Sequence, residues 1–549
     1  MKKNIFRLLS FALFVCTATL SSYACTNLIV GKKASKDGSV IVSYSCDDYG
    51  AYGFMNYLKG GKHPKGAMRA IHHYESNNYL GEIPEAPYTY TVVGLMNEHQ
   101  LTIHETTFGG REELVDTISG LIDYGSLMYI TLQRAKNARE AIKVMTKLVS
   151  DYGYESGGES FSICDPNEAW VLEMIGKGPG RKGAVWVAVR IPDDAICAHA
   201  NQSRIRKFPL KDKENCLYSK DVISFAREKG YFNGKDEDFS FSEAYAPADF
   251  GALRYCEARV WSFFNKWAAE DMKPYLPYAM GDVNAKPMPF CVKPKAPLSV
   301  QDVKDMMRDH YEGTPLEIQS DLGMGPWEMP YRPTPLSYEV DGKKYFNERP
   351  ISTQQSANVY VSQMRSWLPN HIGGVVWFAN DDANMAPFTP VYCCADKAPD
   401  CYALGTANTF TFSTRSAFWV QNWVSNMVYM RYSVMFPELM KVRNQLEADY
   451  NSLQAETEKK AASMPEEEAR RFLSSYSHRT AQGMMDVWNQ LAQTLIVKYN
   501  DMSVKKTDAQ GNYLKTPGGN QRPVDRPGYP EVYRRKIVEE AGARYQIKE

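Results

Sequence analysis

Cys25 is the residue best placed to do chemistry, and the stretch before it says why. Lys2, Lys3 and Arg7 make a basic start, an apolar run follows from Leu8 to Leu20, and Ser22 and Ala24 occupy the −3 and −1 positions of a signal-peptidase site. This is the pattern of a secretory leader, and cleavage after Ala24 makes Cys25 the first residue of the mature chain. A cysteine there carries a thiol and a free α-amine together. With a pKa of roughly 7.7–8.0 the amine accepts a proton near neutral pH, so one residue supplies nucleophile and base. Two other fates compete: lipidation of the thiol, as in bacterial lipoproteins, and a structural disulfide. Thr26 to Val30 is β-prone and runs straight into Gly31, unlike the flexible tether that follows a lipidated cysteine. Ser22 also stands where a lipidation site prefers a large aliphatic residue.

The elements that must position Cys25 are read from periodicity. Strands are expected at Thr26–Val30, Val40–Tyr44, Tyr90–Leu95, Leu101–Glu105, Phe161–Cys164, Ala169–Ile175, Val185–Arg190 and Ile196–His199, with turns such as Lys36-Asp37-Gly38 between them. Ala138, Ala141, Ile142, Met145, Leu148 and Val149 recur at helical spacing. A short helix opens at Val300, strands return at Ala357–Ser362 and Gly373–Phe378, and Ser413 to Tyr499 is helical with a charged connection at Glu456–Glu468. Strands first, helices over them, then strands again argue for sheet layers covered by helices.

Composition narrows the classes. The chain has 549 residues, 44% of them hydrophobic, enough for a large core. No segment after the leader reaches about 18 uninterrupted apolar residues, so no membrane span is expected. Removing Lys2, Lys3 and Arg7 leaves 61 basic residues against 64 acidic, a net of −3, which does not suggest a nucleic-acid partner. Ten of the eleven cysteines follow the leader, which takes Cys16; a local bridge among Cys393, Cys394 and Cys401 is open. His99 and His104 are five apart and His72 and His73 adjacent, neither with HExxH spacing, so neither a catalytic metal nor another cofactor is expected.

Three polar elements stand at strand ends: Cys46-Asp47-Asp48, Gly94-Leu95-Met96-Asn97-Glu98, and Cys197-Ala198-His199-Ala200-Asn201-Gln202-Ser203-Arg204. With Cys25-Thr26-Asn27, the GKKASKDGS turn at 31–39, Arg308 to Thr314 (RDHYEGT) and Ser416-Ala417-Phe418-Trp419, they resemble the cysteine dipeptidase family of N-terminal-nucleophile (Ntn) hydrolases. That family is related to the penicillin V acylases and bile-salt hydrolases, and the resemblance runs from Cys25 to about Tyr432.

The resemblance implies an α+β fold, a four-layer αββα Ntn-hydrolase sandwich with a helical C-terminal extension. It divides the chain into a leader (1–24), a catalytic domain (25–410), a helical region (411–500) and a surface tail (501–549). Carried over by residue, Cys25 is the nucleophile, Asp47 orients its amine with Asp48 as the alternative, Asn97 is an oxyanion-hole side chain, Asn201 is a second polar group at the reacting centre, and Arg259 matches an active-site arginine, with Arg254 competing. Many relatives carry Arg three residues before the acid; Tyr44 stands there, a departure that leaves a catalytically inert member as one reading. His199 and His310 lie in these motifs and are expected to be hydrogen-bonded structural residues. The implied function is a secreted or periplasmic dipeptidase acting on short peptides. A non-peptide amide acylase and a lipid-anchored peptide- or glycan-binding protein are the alternatives; nothing in the sequence fixes the oligomeric state.

Overall fold

A computed structural model describes residues 25–333, 336–519 and 523–548. The leader reading at 1–24, with Cys16, falls outside the described residues.

Two large antiparallel sheets carry the fold. The first orders Cys291–Val292, Ile196–His199, Asn27–Val30, Val40–Asp47, Ser356–Met364, Val375–Asn380 and Thr389–Tyr392. Its opening strand, just after Cys25, is therefore interior, paired with Ile196–His199 on one side and Val40–Asp47 on the other. The second has eight strands, ordered Cys216–Tyr218, Ala184–Ile191, Ala169–Gly176, Gly158–Cys164, Thr102–Gly109, Met96–Asn97, Val92–Val93 and Tyr57–Leu58. Gly31 ends the opening strand because the chain turns there against other backbone: an added Cβ would sit 2.5 Å from the Asp193 carbonyl oxygen.

Strand alternation divides the first sheet's side chains between two cores. Val40, Val42, Tyr44, Tyr360 and Phe378 face a core shared with Phe161 and Ile163 of the second sheet. Ile41, Val359, Val361 and Trp377 face a second core closed by Val260 and Phe264 of helix Ala258–Trp267 and Val303 of helix Val300–Met306. Helix Ala138–Tyr152 packs against the second sheet through the apolar positions that its sequence spacing picks out. Asn137 caps its start, accepting from the Glu140 N–H at 3.0 Å, and Gly153 ends it with φ +80°. Between the sheets the His199 ring is hydrogen-bonded at 2.7 Å to both Thr106 Oγ1 and Ser162 Oγ; burial lowers its pKa to about 3, so it ties the layers together as a neutral ring.

Helices Ala417–Tyr429, Tyr432–Ala462 and Glu466–Tyr499 lie against the far edge of the first sheet, and Val424, Val428, Trp488 and Leu491 enter the main core. The charged stretch expected as a connection is largely helical. Glu458 reaches Arg365 with both carboxylate oxygens at 2.7 Å, and Glu466, Glu467 and Glu468 sit in the first turn of the last long helix, where negative charge suits the helix dipole. Only Ser463, Met464 and Pro465 separate the two helices. Beyond them a strand pair, Val504–Lys505 with Val524–Asp525, and helix Glu531–Ala541, none of whose residues is buried, lie on the surface. No helix among the described residues is long and apolar enough to cross a membrane.

Candidate active site

Cys25 lies at the head of the opening strand and is 4% exposed. Its Sγ lies 3.6 Å from Glu105 Oε1 and 3.9 Å from Tyr44 Oη, and Tyr44 donates to the same Glu105 oxygen at 2.8 Å. Burial, then the Glu105 carboxylate, pushes the thiol well above its ordinary pKa, with a hydrogen bond from the Asp47 backbone opposing. The sulfur therefore keeps its proton at neutral pH and needs a base. Glu105 is itself raised by burial, against the Tyr44 hydrogen bond; Glu159 is raised by burial and by Glu105. Thr107 Oγ1 donates to Glu159 at 2.7 Å.

Arg259 fixes the backbone of the nucleophile. It follows a π-helical turn, Ala252–Glu257, and is 1% exposed at the start of helix Ala258–Trp267. Nε donates to the Tyr255 carbonyl at 2.7 Å; Nη1 donates to the Cys25 carbonyl at 2.6 Å and to Thr26 Oγ1 at 2.8 Å. Nη2 donates to the Ala200 carbonyl and to Asn201 Oδ1, both at 3.0 Å. All five N–H donors of a guanidinium are matched by acceptors. Arg254, the competing candidate, points elsewhere, to Glu348 and over the Phe346 ring.

Asn201 has φ +66°, a backbone region that asparagine tolerates better than most residues, and its Nδ2 donates to the Thr107 carbonyl at 2.9 Å. It thereby ties Arg259 to the strand that carries Glu105. The turn after it is held by Glu173, which accepts from Ser203 Oγ at 2.5 Å and from the Arg204 N–H at 2.6 Å. Burial raises Glu173 from 4.5 to about 7. Because the folded value lies above the ordinary one, the stabilisation is complete below pH 4.5 and is lost as pH rises through 7, roughly 3 kcal/mol in all. Glu173→Gln cannot ionise, so its thermal midpoint relative to the parent should rise between pH 5 and pH 8. A pH-independent offset would contradict this.

Asp47 is the last residue of strand Val40–Asp47, inside it and not in a loop after it, and is buried. Arg349 Nη2 donates to it at 2.5 Å, Ser356 Oγ at 2.6 Å and Ser45 Oγ at 3.0 Å. Asp48 instead accepts from the Gly50 N–H at 2.8 Å in the following turn.

Asn97 is the residue whose geometry departs from its expected role. Its Nδ2 donates to the Leu132 and Ala135 carbonyls at 2.7 and 2.8 Å, and its Oδ1 accepts from the His99 and Leu101 N–H groups at 3.0 and 3.2 Å. Both amide hydrogens and both lone pairs are engaged in holding a turn to a helix end, leaving no donor for an oxyanion. Asn97→Ala should accordingly cost stability, about 1–3 kcal/mol for each backbone group left unpaired, while kcat stays within a few-fold of the parent. A drop of 100-fold in kcat with an unchanged thermal midpoint would restore the oxyanion role.

Other candidates are structural in their contacts. The His310 ring pairs with Glu312 at 2.9 Å. Cys393, Cys394 and Cys401 are all free thiols; Cys393 donates to the Asn370 carbonyl at 3.2 Å, so the local bridge is not formed. Among the described residues no three His, Cys, Asp or Glu side chains are grouped to hold a metal ion.

Glu105 and Arg349 escaped the sequence reading, and Tyr44 entered it only as a departure. A carboxylate inside an otherwise Thr-rich strand, Thr102–Gly109, was the available signal for Glu105. Arg349 lies 302 residues from Asp47, and nothing local marks it.

The sequence matches the peptidase C69 family over residues 24–445, most of its length. The chain belongs to peptidase family C69. This is the cysteine dipeptidase family, of Ntn type, that its motifs resemble. Among relatives of this C69 peptidase, a probable dipeptidase of Salmonella dublin is 27% identical over 67% of this chain and 81% of its own length. A dipeptidase A of Lactobacillus helveticus is 26% identical over 80% and 89%. A probable dipeptidase of Latilactobacillus sakei is 24% identical over 87% and 96%.

Proposed function

We propose that this C69 peptidase is a secreted or periplasmic dipeptidase whose nucleophile is Cys25, freed at the N-terminus by removal of residues 1–24. The observation that carries the reading is the Arg259 clamp: a fully matched, buried guanidinium holds the carbonyl of the very residue whose thiol faces Tyr44 and Glu105. The two sheets sharing a core, with helices on their outer faces, support reading the architecture as the αββα sandwich of Ntn hydrolases. The dipeptidase names of the relatives support the substrate class.

In this reading the α-amine of Cys25 takes the thiol proton as the sulfur attacks the scissile carbonyl carbon. The Asp47 N–H is the donor beside the sulfur and takes the place expected of Asn97 in steadying the negative charge, while the Tyr44 proton is held by Glu105. The ammonium returns its proton to the departing peptide nitrogen, leaving a thioester. Water, deprotonated by the same amine, adds to the thioester carbonyl; the acid is released and the thiol re-forms. Asp47, held by Arg349 and two serines, orients the amine through this cycle. Glu105, 3.6 Å from the sulfur, offers a carboxylate to the free amino end of a short peptide.

The test is the intact mass and N-terminal sequence of the protein from its own host, followed by dipeptide hydrolysis. A chain beginning at unmodified Cys25 that releases amino acids from dipeptides is the expected result. A lipidated or acylated Cys25, or a chain starting elsewhere, leaves no amine to act as base and overturns the reading.

A further inference from the structure

A second thiol faces the nucleophile. The opening strand and strand Val40–Asp47 pair antiparallel with Ile29 opposite Val42 and Val30 opposite Ile41, and the same register places Thr26 opposite Ser45. One residue further, Cys25 stands opposite Cys46. The Ser45 N–H donates to the Thr26 carbonyl at 3.1 Å, which makes Thr26 and Ser45 a hydrogen-bonded pair and puts the cysteines at the next, non-hydrogen-bonded position. There Cα atoms lie about 4.5 Å apart and side chains on one face are closest, within the roughly 4.4–6.8 Å separation that a disulfide spans. Tyr44, two residues before Cys46 and so on the same face, lies 3.9 Å from Cys25 Sγ. Cys46 is half-buried and reduced, and no step proposed above uses it.

We propose that Cys46 is a resolving thiol for Cys25, so that a hydroperoxide converts the pair to a reversible Cys25–Cys46 disulfide that silences the peptidase. This rests on the reading of Cys25 as the nucleophile. The Cys25 thiolate attacks one peroxide oxygen, the O–O bond breaks, and the other oxygen leaves with the displaced proton as water or alcohol. Cys25 is then a sulfenic acid. The Cys46 sulfur attacks the Cys25 sulfur, the S–O bond breaks, and hydroxide leaves as water with the Cys46 proton. Two thiols lose two electrons and one peroxide is reduced. The disulfide occupies the sulfur that would attack substrate, and a thiol reductant restores it. Without Cys46 the sulfenic acid has no partner and proceeds to the irreversible sulfinic acid.

The experiment treats the mature full-length protein with hydrogen peroxide, maps its peptides by mass before and after dithiothreitol, and assays dipeptide hydrolysis alongside Cys46→Ser. The parent is expected to yield a Cys25–Cys46 cross-linked peptide, to lose its activity and to recover most of it with dithiothreitol. Cys46→Ser should match the parent before oxidation and stay inactive after dithiothreitol, with Cys25 as sulfinic acid. Cys197 and Cys291, also opposite each other in register, are the internal control, because a bridge confined to them leaves Cys25 reduced and active. Sulfinic acid at Cys25 in the parent with no Cys25–Cys46 peptide overturns the proposal, a result that needs no variant to fold. A Cys25–Cys46 bridge with hydrolysis unimpaired would uphold the disulfide and overturn instead the reading of Cys25 as nucleophile.

Discussion

Cys25→Ser is expected to fold as the parent does and to lose peptide hydrolysis by on the order of 10⁴-fold or more. Serine keeps the backbone, the α-amine and the carbonyl that Arg259 holds, so the substitution isolates the sulfur. Its hydroxyl finds Tyr44 and Glu105 as ready partners, and the thermal midpoint should reflect a change within about 1.5 kcal/mol, as for other near-isosteric replacements. The loss arises because an alcohol holds its proton far more tightly than a thiol, so the same amine, in a site shaped around sulfur, activates the hydroxyl much less. Near-parental hydrolysis in the serine variant would place the nucleophile elsewhere. An unfolded variant would make Cys25 a structural cysteine, one of the fates open to it from sequence.

Much of the frame that holds Cys25 was legible because strands and amphipathic helices announce themselves through nearest-neighbour periodicity. Ile196–His199 has the bounds expected from sequence, and Val40–Tyr44, Ala169–Ile175 and Val185–Arg190 lengthen by one to three residues in the structure. The second strand lengthens because Ser45, Cys46 and Asp47, which read as loop by polarity, pair with Ser356, Asn358 and Val359 in a sheet interior where their polar groups find partners. Short pieces such as Val92–Val93 were overdrawn, since an apolar run does not reveal where its neighbour strand stops. At the site, the residues placed by local order were the more accessible ones. Asp47 and Cys46 follow from their distance along the second strand, whereas Arg349 and Glu105 meet Asp47 and Cys25 only through long-range packing. Asn97 is hard to read for a related reason: an asparagine between strands serves a turn or a ligand equally well in sequence, and its bonds to the Leu132 and Ala135 carbonyls, on a separate helix end, have no local signal.

Arg259→Lys is the substitution that separates a clamp from a buried arginine that merely packs. Lysine offers three donors from a single point where arginine offers five in a planar fork, so at least two of the Tyr255, Cys25, Thr26, Ala200 and Asn201 acceptors lose their partner. Each buried group left unpaired costs about 1–3 kcal/mol of stability. If the Cys25 carbonyl is among them, the nucleophile shifts relative to the bound carbonyl carbon, and a displacement of about 1 Å lowers turnover on the order of 100-fold. Arg259 acts through Cys25, so kcat should fall while KM stays close to that of the parent. Asn201→Gly provides the milder variant: glycine accepts the φ of +66° without strain, and what is lost is one of the two Nη2 acceptors and the tie to the Thr107 carbonyl, so kcat should fall less than in Arg259→Lys and again without a matching rise in KM. Parental kcat in both variants, with lowered thermal midpoints alone, would reduce Arg259 to a core arginine and leave the orientation of Cys25 to the strand pairing of its neighbours.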